Sequence, residues 1–106
     1  MSSDLHTKAE SGIPHAQFEL GQCYEFGKDF PQDFLQAKIW YEKAAAQGFA
    51  KAQYNLGLLY QHGRGIPIDY PRALHYYKLA AEQNDPWALN NIGFLYAHGR
   101  GVETEA

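Results

Sequence analysis

Two copies of one short motif hold the residues best suited to chemistry. His62-Gly63-Arg64-Gly65 returns as His98-Gly99-Arg100-Gly101, each joining an imidazole and a guanidinium on a glycine-rich turn. The imidazole could ligate a metal, and glycine amides beside an arginine could cradle a phosphate. Neither chemistry has its context. Two histidines 36 positions apart make no recognised ligand spacing, and a dinucleotide fingerprint needs a strand ahead of its glycines. Turn formation accounts for both copies. Cys23, the single cysteine, cannot form an internal disulfide or a cysteine-built metal site. It aligns with Leu59 and Leu95, which marks it as a small buried apolar residue. No Ser/His/Asp or Cys/His set and no isolated carboxylate pair completes a catalytic constellation, so no catalytic, cofactor or metal residue is assigned.

Composition narrows the partners. A net charge of −3 with no run of like charges gives phosphate backbones no electrostatic footprint, which excludes nucleic acid. No apolar stretch approaches a membrane span, and Met1-Ser2-Ser3-Asp4 opens nothing like a signal peptide. The compartment stays unassigned.

The elements that must position any such site are set by a repeat. Ala52–Trp87 lies on Ala16–Lys51 without a gap when shifted by 36 positions, and its first half lies on Ala88–Glu105. A fixed period of roughly 20 to 50 residues marks a solenoid, whose units bury a core only by stacking. The chain divides into a half-repeat (1–15), repeats 16–51 and 52–87, and a partial repeat 88–106. Each unit reads as two helices. Helix A is expected over about Pro14–Phe26, Ala50–His62 and Pro86–His98, with a proline or alanine at its start. Helix B is expected over about Phe34–Gln47 and Tyr70–Gln83, capped by Asp33 and Asp69. A leading stub, Ser3–Ser11, stands in for an earlier helix B. Gly12, Gly48 and Asn84 fall where a helix must close in the left-handed conformation. Phe30, Ile66 and Val102 are apolar inside their loops and are expected to tuck back between helices. Gly21, Gly57 and Gly93 recur mid-helix, where glycine costs about 1 kcal/mol relative to alanine. Their shared register predicts a helix that comes too close for a Cβ.

Ala-x-x-x-Leu-Gly-x-x-Tyr, then Gly-x-Gly-(Ile/Val), Asp and Ala-x-x-(Trp/Tyr)-Tyr-x-x-Ala-Ala-x-Gln-Gly resembles the Sel1-like repeat, a relative of the tetratricopeptide repeat. The resemblance runs from Gly12 to Glu105. It implies an all-α, right-handed α/α superhelix of antiparallel helix pairs, helix A lining the concave side, and a role as adaptor or scaffold. Departures are Asp29 for the second loop glycine, Asn84 for the cap glycine and Glu105 for the capping aspartate. Cysteine-rich members of this type are linked to hydrolysis of antibiotics, but their paired cysteines are missing, so an enzyme is not expected.

If that architecture holds, ligand-facing residues come from the side of helix A opposite Ala16, Leu20 and Tyr24. At about 100° per residue that side carries His15, Glu19, Gln22 and Phe26. In the later copies it carries Lys51, Asn55, Leu58, His62, Trp87, Asn91, Phe94 and His98, which form the expected partner-binding set. Asn55 and Asn91 share one address, and such a ladder can bond the backbone of an extended peptide. The bland alternative is that Leu58 and Phe94 pack on adjacent helices and the asparagines are merely solvated, the array then being a structural spacer in a larger protein. At the far end, Ile92, Leu95 and Tyr96 are expected to face a helix B the chain does not supply. Two expectations follow: a segment of a longer array, or head-to-tail self-association in which the stub of one molecule covers those three residues of the next.

Overall fold

The computed structural model of the chain describes residues 2–100. They form six helices: α1 (Ser2–Glu10), α2 (Pro14–Phe26), α3 (Phe34–Ala46), α4 (Ala50–His62), α5 (Tyr70–Ala81) and α6 (Pro86–Ala97). Each packs chiefly on its neighbours in the chain. The result measures 52 × 26 × 17 Å with a radius of gyration of 14.3 Å, above the roughly 13 Å of a spherical domain this long. Stacking by units, as the 36-residue period predicted, is the reason.

Local chemistry sets the helix ends. Asp33, Asp69 and Asp85 accept the backbone N–H of Gln36, Arg72 and Ala88 at 3.1, 3.0 and 2.8 Å, satisfying donors that a helix start leaves orphaned. Asp29 (φ 67°) and Asn84 (φ 65°) adopt the left-handed conformation where the other copies place glycine, a strain that Asp and Asn bear better than other side chains. Helix B ends a little earlier than periodicity indicates, at Ala46 and Ala81. The following glutamines turn aside to bond helix A of their own unit and the closing glycine of the unit before. Gln47 Nε2 donates to Gly12 O (2.9 Å) and Gln17 Oε1 (2.8 Å), and Gln83 Nε2 does the same to Gly48 O and Gln53 Oε1 (2.7 and 3.1 Å).

Two of the three mid-helix glycines, Gly21 and Gly57, are explained by the tyrosines of helix B; at Gly93 the expected close neighbour is missing among the described residues, and a Cβ there would meet nothing within 4 Å. A Cβ on Gly21 would lie 2.6 Å from the Tyr41 ring, and one on Gly57 would lie 2.3 Å from the Tyr77 ring. Both rings are fully buried. Their hydroxyls donate to Glu25 Oε1 and Gln61 Oε1, each at 2.6 Å. One ring thus locks each helix pair at a distance only glycine permits. Phe30 stacks on Tyr24 and Ile66 packs on the core, as expected; Val102, Glu103, Thr104 and Glu105 lie outside the described residues.

One expectation fails here. Leu95 does not face an open end: it is fully buried, in the same core as its repeat mate Leu59. At 100° per residue it points back to α5 beside Ala88 and Ile92, so it is already used.

Candidate binding face

Four positions of α6 make one stripe: Trp87, Asn91, Phe94 and His98, spaced by four, three and four. Trp87 is 66% exposed and Phe94 43%, high for large apolar side chains. Phe94 stacks on His98 with centroids 4.2 Å apart, and His98 Nδ1 lies 2.9 Å from Phe94 O. One stripe earlier, on α4, Lys51 and His62 are exposed while Asn55 and Leu58 are half-buried. Leu58 packs against the core, the bland reading for that residue. Trp87 and Phe94 do not share it.

The asparagines, expected either as a ladder for an extended peptide or as merely solvated groups, are each partly engaged within the fold. Asn55 Nδ2 donates to Tyr41 O–H at 3.2 Å, and Asn91 Nδ2 donates to Tyr77 O–H at 3.3 Å. Each therefore closes a chain that runs from one unit's helix A, through the tyrosine, to the next unit's helix A: Glu25–Tyr41–Asn55 and Gln61–Tyr77–Asn91. Burial pushes both phenol pKa values well up, and at Tyr41 the Glu25 carboxylate adds to the effect. One amide N–H of each asparagine is committed; the carbonyl oxygen and second N–H take no part in that bond.

Glu19, where the first unit departs from asparagine, has no tyrosine to meet. The residue in register with Tyr41 and Tyr77 is Leu5, and Glu19 instead pairs with His15 at 2.7 Å on the exposed surface. The shorter Leu5 leaves a groove of about 410 Å³ lined by Leu5, Glu19, Gln22, Cys23, Phe26, Lys28 and Asp29. Burial pushes the Cys23 thiol pKa up, with Asp29 adding to it, the reverse of what an activated thiol requires. This groove continues the stripe into the first unit. Its signal in the sequence was the aliphatic residue at a tyrosine register.

The Gly-Arg-Gly turns have a structural use. Arg64 lies over the Phe34 ring at 5.5 Å and pairs with buried Glu25 at 3.4 Å, and Arg100 lies over the Tyr70 ring at 5.1 Å. Each arginine ties its turn to the preceding helix B. Among the described residues no group of three or more metal-ligating side chains converges, and no helix is long and apolar enough to cross a membrane.

Comparisons with known proteins agree with this architecture. The Sel1 repeat family matches residues 14–49, 50–85 and 88–104. A structure of c5321, a protective antigen present in uropathogenic Escherichia coli strains and displaying an SLR fold, superposes with a TM-score of 0.92. It is 44% identical over 97% of this chain and 22% of that one. A Sel1 repeat protein from Oxalobacter formigenes superposes with a TM-score of 0.84 and 36% identity, over 98% of this chain and 78% of that one. The chitin synthase regulator SKT5 of Saccharomyces cerevisiae is 51% identical over 37 residues, 35% of this chain and 5% of that protein. The chain thus spans only a small part of the antigen and of the yeast regulator. With three units matched and the Gly–Tyr lock seen in both complete ones, the chain belongs to the Sel1 repeat family, whose members are generally protein-interaction scaffolds.

Proposed function

We propose that this chain is a scaffold that holds an extended peptide or a partner's surface along the concave helix-A face. The contacts come from Lys51, Asn55, Leu58, His62, Trp87, Asn91, Phe94 and His98. The observation that carries the reading is the pair Trp87 and Phe94, two large apolar side chains left exposed on one stripe of α6 with half-buried Asn91 between them. Aromatic anchors of this kind dominate binding energy at interfaces. The asparagine carbonyl oxygens supply acceptors one repeat apart for a partner's N–H groups. The yeast relative, by name a regulator of another protein, is in keeping with action through contact. A spacer role within a larger repeat protein is the second reading, and half-buried Leu58, which packs against the core instead of facing a ligand, favours it.

The test is selection from a random displayed-peptide library, followed by affinity measurement on Trp87→Ala/Phe94→Ala. Because neither side chain supports the core, helicity is expected to hold while affinity falls at least about 100-fold. Selected peptides that bind the double variant equally well would move the site to the turns or to the helix-B side.

A further inference from the structure

Most cationic side chains of this fold already have a partner. Lys8, Lys38, Arg64 and Arg72 each lie within 3.8 Å of a carboxylate. Lys43, Lys78 and Arg100 each lie over an aromatic ring. Among the histidines, His6 and His15 face a glutamate, and His75 and His98 face a ring. Among the described residues, Lys28, Lys51 and His62 have neither kind of partner. Lys28 sits in a turn beside Asp29. The other two belong to one helix.

Lys51 and His62 stand at the two ends of a single stripe of α4, with Asn55 and Leu58 between them, and both are exposed. Helix α4 is interior to the array, packed on α3 before it and α5 after it, so this exposure does not come from a missing neighbour. Neither α4 nor α6 contains an aspartate or glutamate. On the helix A before them, both carboxylates are already held. Glu19 pairs with His15 at 2.7 Å, and buried Glu25 meets Tyr41 O–H at 2.6 Å and Arg64 at 3.4 Å. Asp85, just ahead of Trp87, accepts the Ala88 N–H at 2.8 Å. A chain of net charge −3 thus leaves one interior stripe with an unopposed ammonium, an imidazole and the second amide N–H of Asn55.

These groups select the partner. Lysine donates three hydrogen bonds and accepts none, and the imidazole and amide each have an N–H to give. Covering an ammonium is costly unless the covering surface brings a carboxylate, and a basic partner would bring like charge. A phosphate backbone needs a track of cations, whereas Lys51 is the only lysine or arginine on the stripe and apolar Leu58 interrupts it. We infer that the concave face takes an acidic protein segment, an extended peptide whose aspartate or glutamate carboxylates meet Lys51, Asn55 and His62. One helix A further on, a large apolar side chain of the same peptide lies on Trp87 and Phe94. At roughly 3.3 Å per extended residue and roughly 10 Å between helices, the acidic and apolar positions stand about three residues apart. The inference rests on the scaffold reading above and names the chemistry of its partner.

Fluorescence anisotropy of the full chain against three pools of end-capped synthetic peptides tests this. The pools share their length and a leucine or phenylalanine, and differ in carrying a glutamate, glutamine or lysine pair about three residues away. The glutamate pool is expected to bind about tenfold more tightly than the glutamine pool, as two partly exposed ion pairs would give, and the lysine pool most weakly. Lys51→Glu shifts the glutamate and lysine pools about tenfold in opposite directions, and helicity holds because Lys51 is exposed. Lys43→Glu, the same change of charge on exposed α3 surface, leaves both within about twofold. Equal affinity for the three pools, lost in Trp87→Ala/Phe94→Ala, overturns the acidic assignment and leaves the scaffold reading standing. So does binding of random-library peptides when no pool binds; binding of neither overturns both. Equal responses to Lys51→Glu and Lys43→Glu, or a single-stranded oligonucleotide that displaces the glutamate pool at matching concentration, also overturn the inference.

Discussion

Gly57→Ala and Gly93→Ala are the same substitution at the same helical register, and opposite results are expected. In an exposed helix interior, alanine stabilises relative to glycine by about 0.8–1 kcal/mol. At Gly93 nothing lies within 4 Å of the new Cβ, so that gain stands alone. At Gly57 the Cβ falls 2.3 Å from Tyr77 Cε1 and 2.5 Å from Cδ1. The ring cannot yield easily, being fully buried and held through its hydroxyl by Gln61 at 2.6 Å and Asn91 at 3.3 Å. Overpacking of this kind costs about 1–3 kcal/mol, and at so short a separation the upper part of that range applies. After subtracting the propensity gain, Gly57→Ala should lose about 1–2 kcal/mol, placing the variants about 2–3 kcal/mol apart. For a domain this long, each kcal/mol moves Tm by roughly 4–8 °C. Thermal melts followed by circular dichroism should therefore show Tm lowered by about 5–15 °C for Gly57→Ala and raised by a few degrees for Gly93→Ala. Equal shifts for the two, or a Gly57→Ala melt at or above the parent, would refute the ring-in-notch account of why these glycines recur.

Tyr41→Phe removes the donor at Oε1 of the buried Glu25 carboxylate and leaves only Arg64 at Oε2, whereas Tyr77→Phe removes the donor to a neutral amide oxygen. Denaturant midpoints should show the first losing about 1.5–3 kcal/mol and the second about 0.5–1.5 kcal/mol. Both phenols have pKa values raised by burial, so the folded state keeps their protons at a pH where the unfolded chain releases them. Their stabilisation is complete below about pH 10 and is lost as pH rises above it, by about 1.4 kcal/mol per pH unit for each tyrosine. Tyrosinate absorbance should accordingly rise for Tyr41 and Tyr77 only together with unfolding. Asp29→Gly should be neutral to stabilising by up to about 1 kcal/mol, since it relieves a left-handed φ of 67°. The reciprocal Gly65→Asp should lose at least about 2 kcal/mol, because its Cβ would fall 2.4 Å from Phe34 Cβ; chemical denaturation of the pair checks this.

The periods 36 and 3.6 carried most of the fold. Which residues sit on which side of helix A, where Asp33, Asp69 and Asp85 cap, and that Gly21 and Gly57 admit a close neighbour all follow from local geometry and repetition. These are properties of residues a few positions apart, or of one position compared with its copies. What periodicity leaves open is which partner covers a given side, because that depends on how segments far apart in sequence are offset in space. Asn55 and Asn91 lay on the stripe named for them, yet only the packed structure shows each spending an N–H on a tyrosine hydroxyl 14 residues back. Leu95 was assigned to an open end and is instead enclosed with Leu59, since a helix of the last unit still owes one face to α5. The groove beside Leu5 likewise needed the tertiary structure. A leucine at a tyrosine register is visible in the chain, but the space it leaves exists only where α1 meets α2. Sequence determined the unit and where its helices come close; packing decided that a tyrosine ring fills the glycine notch, which polar groups are used up and which surfaces remain.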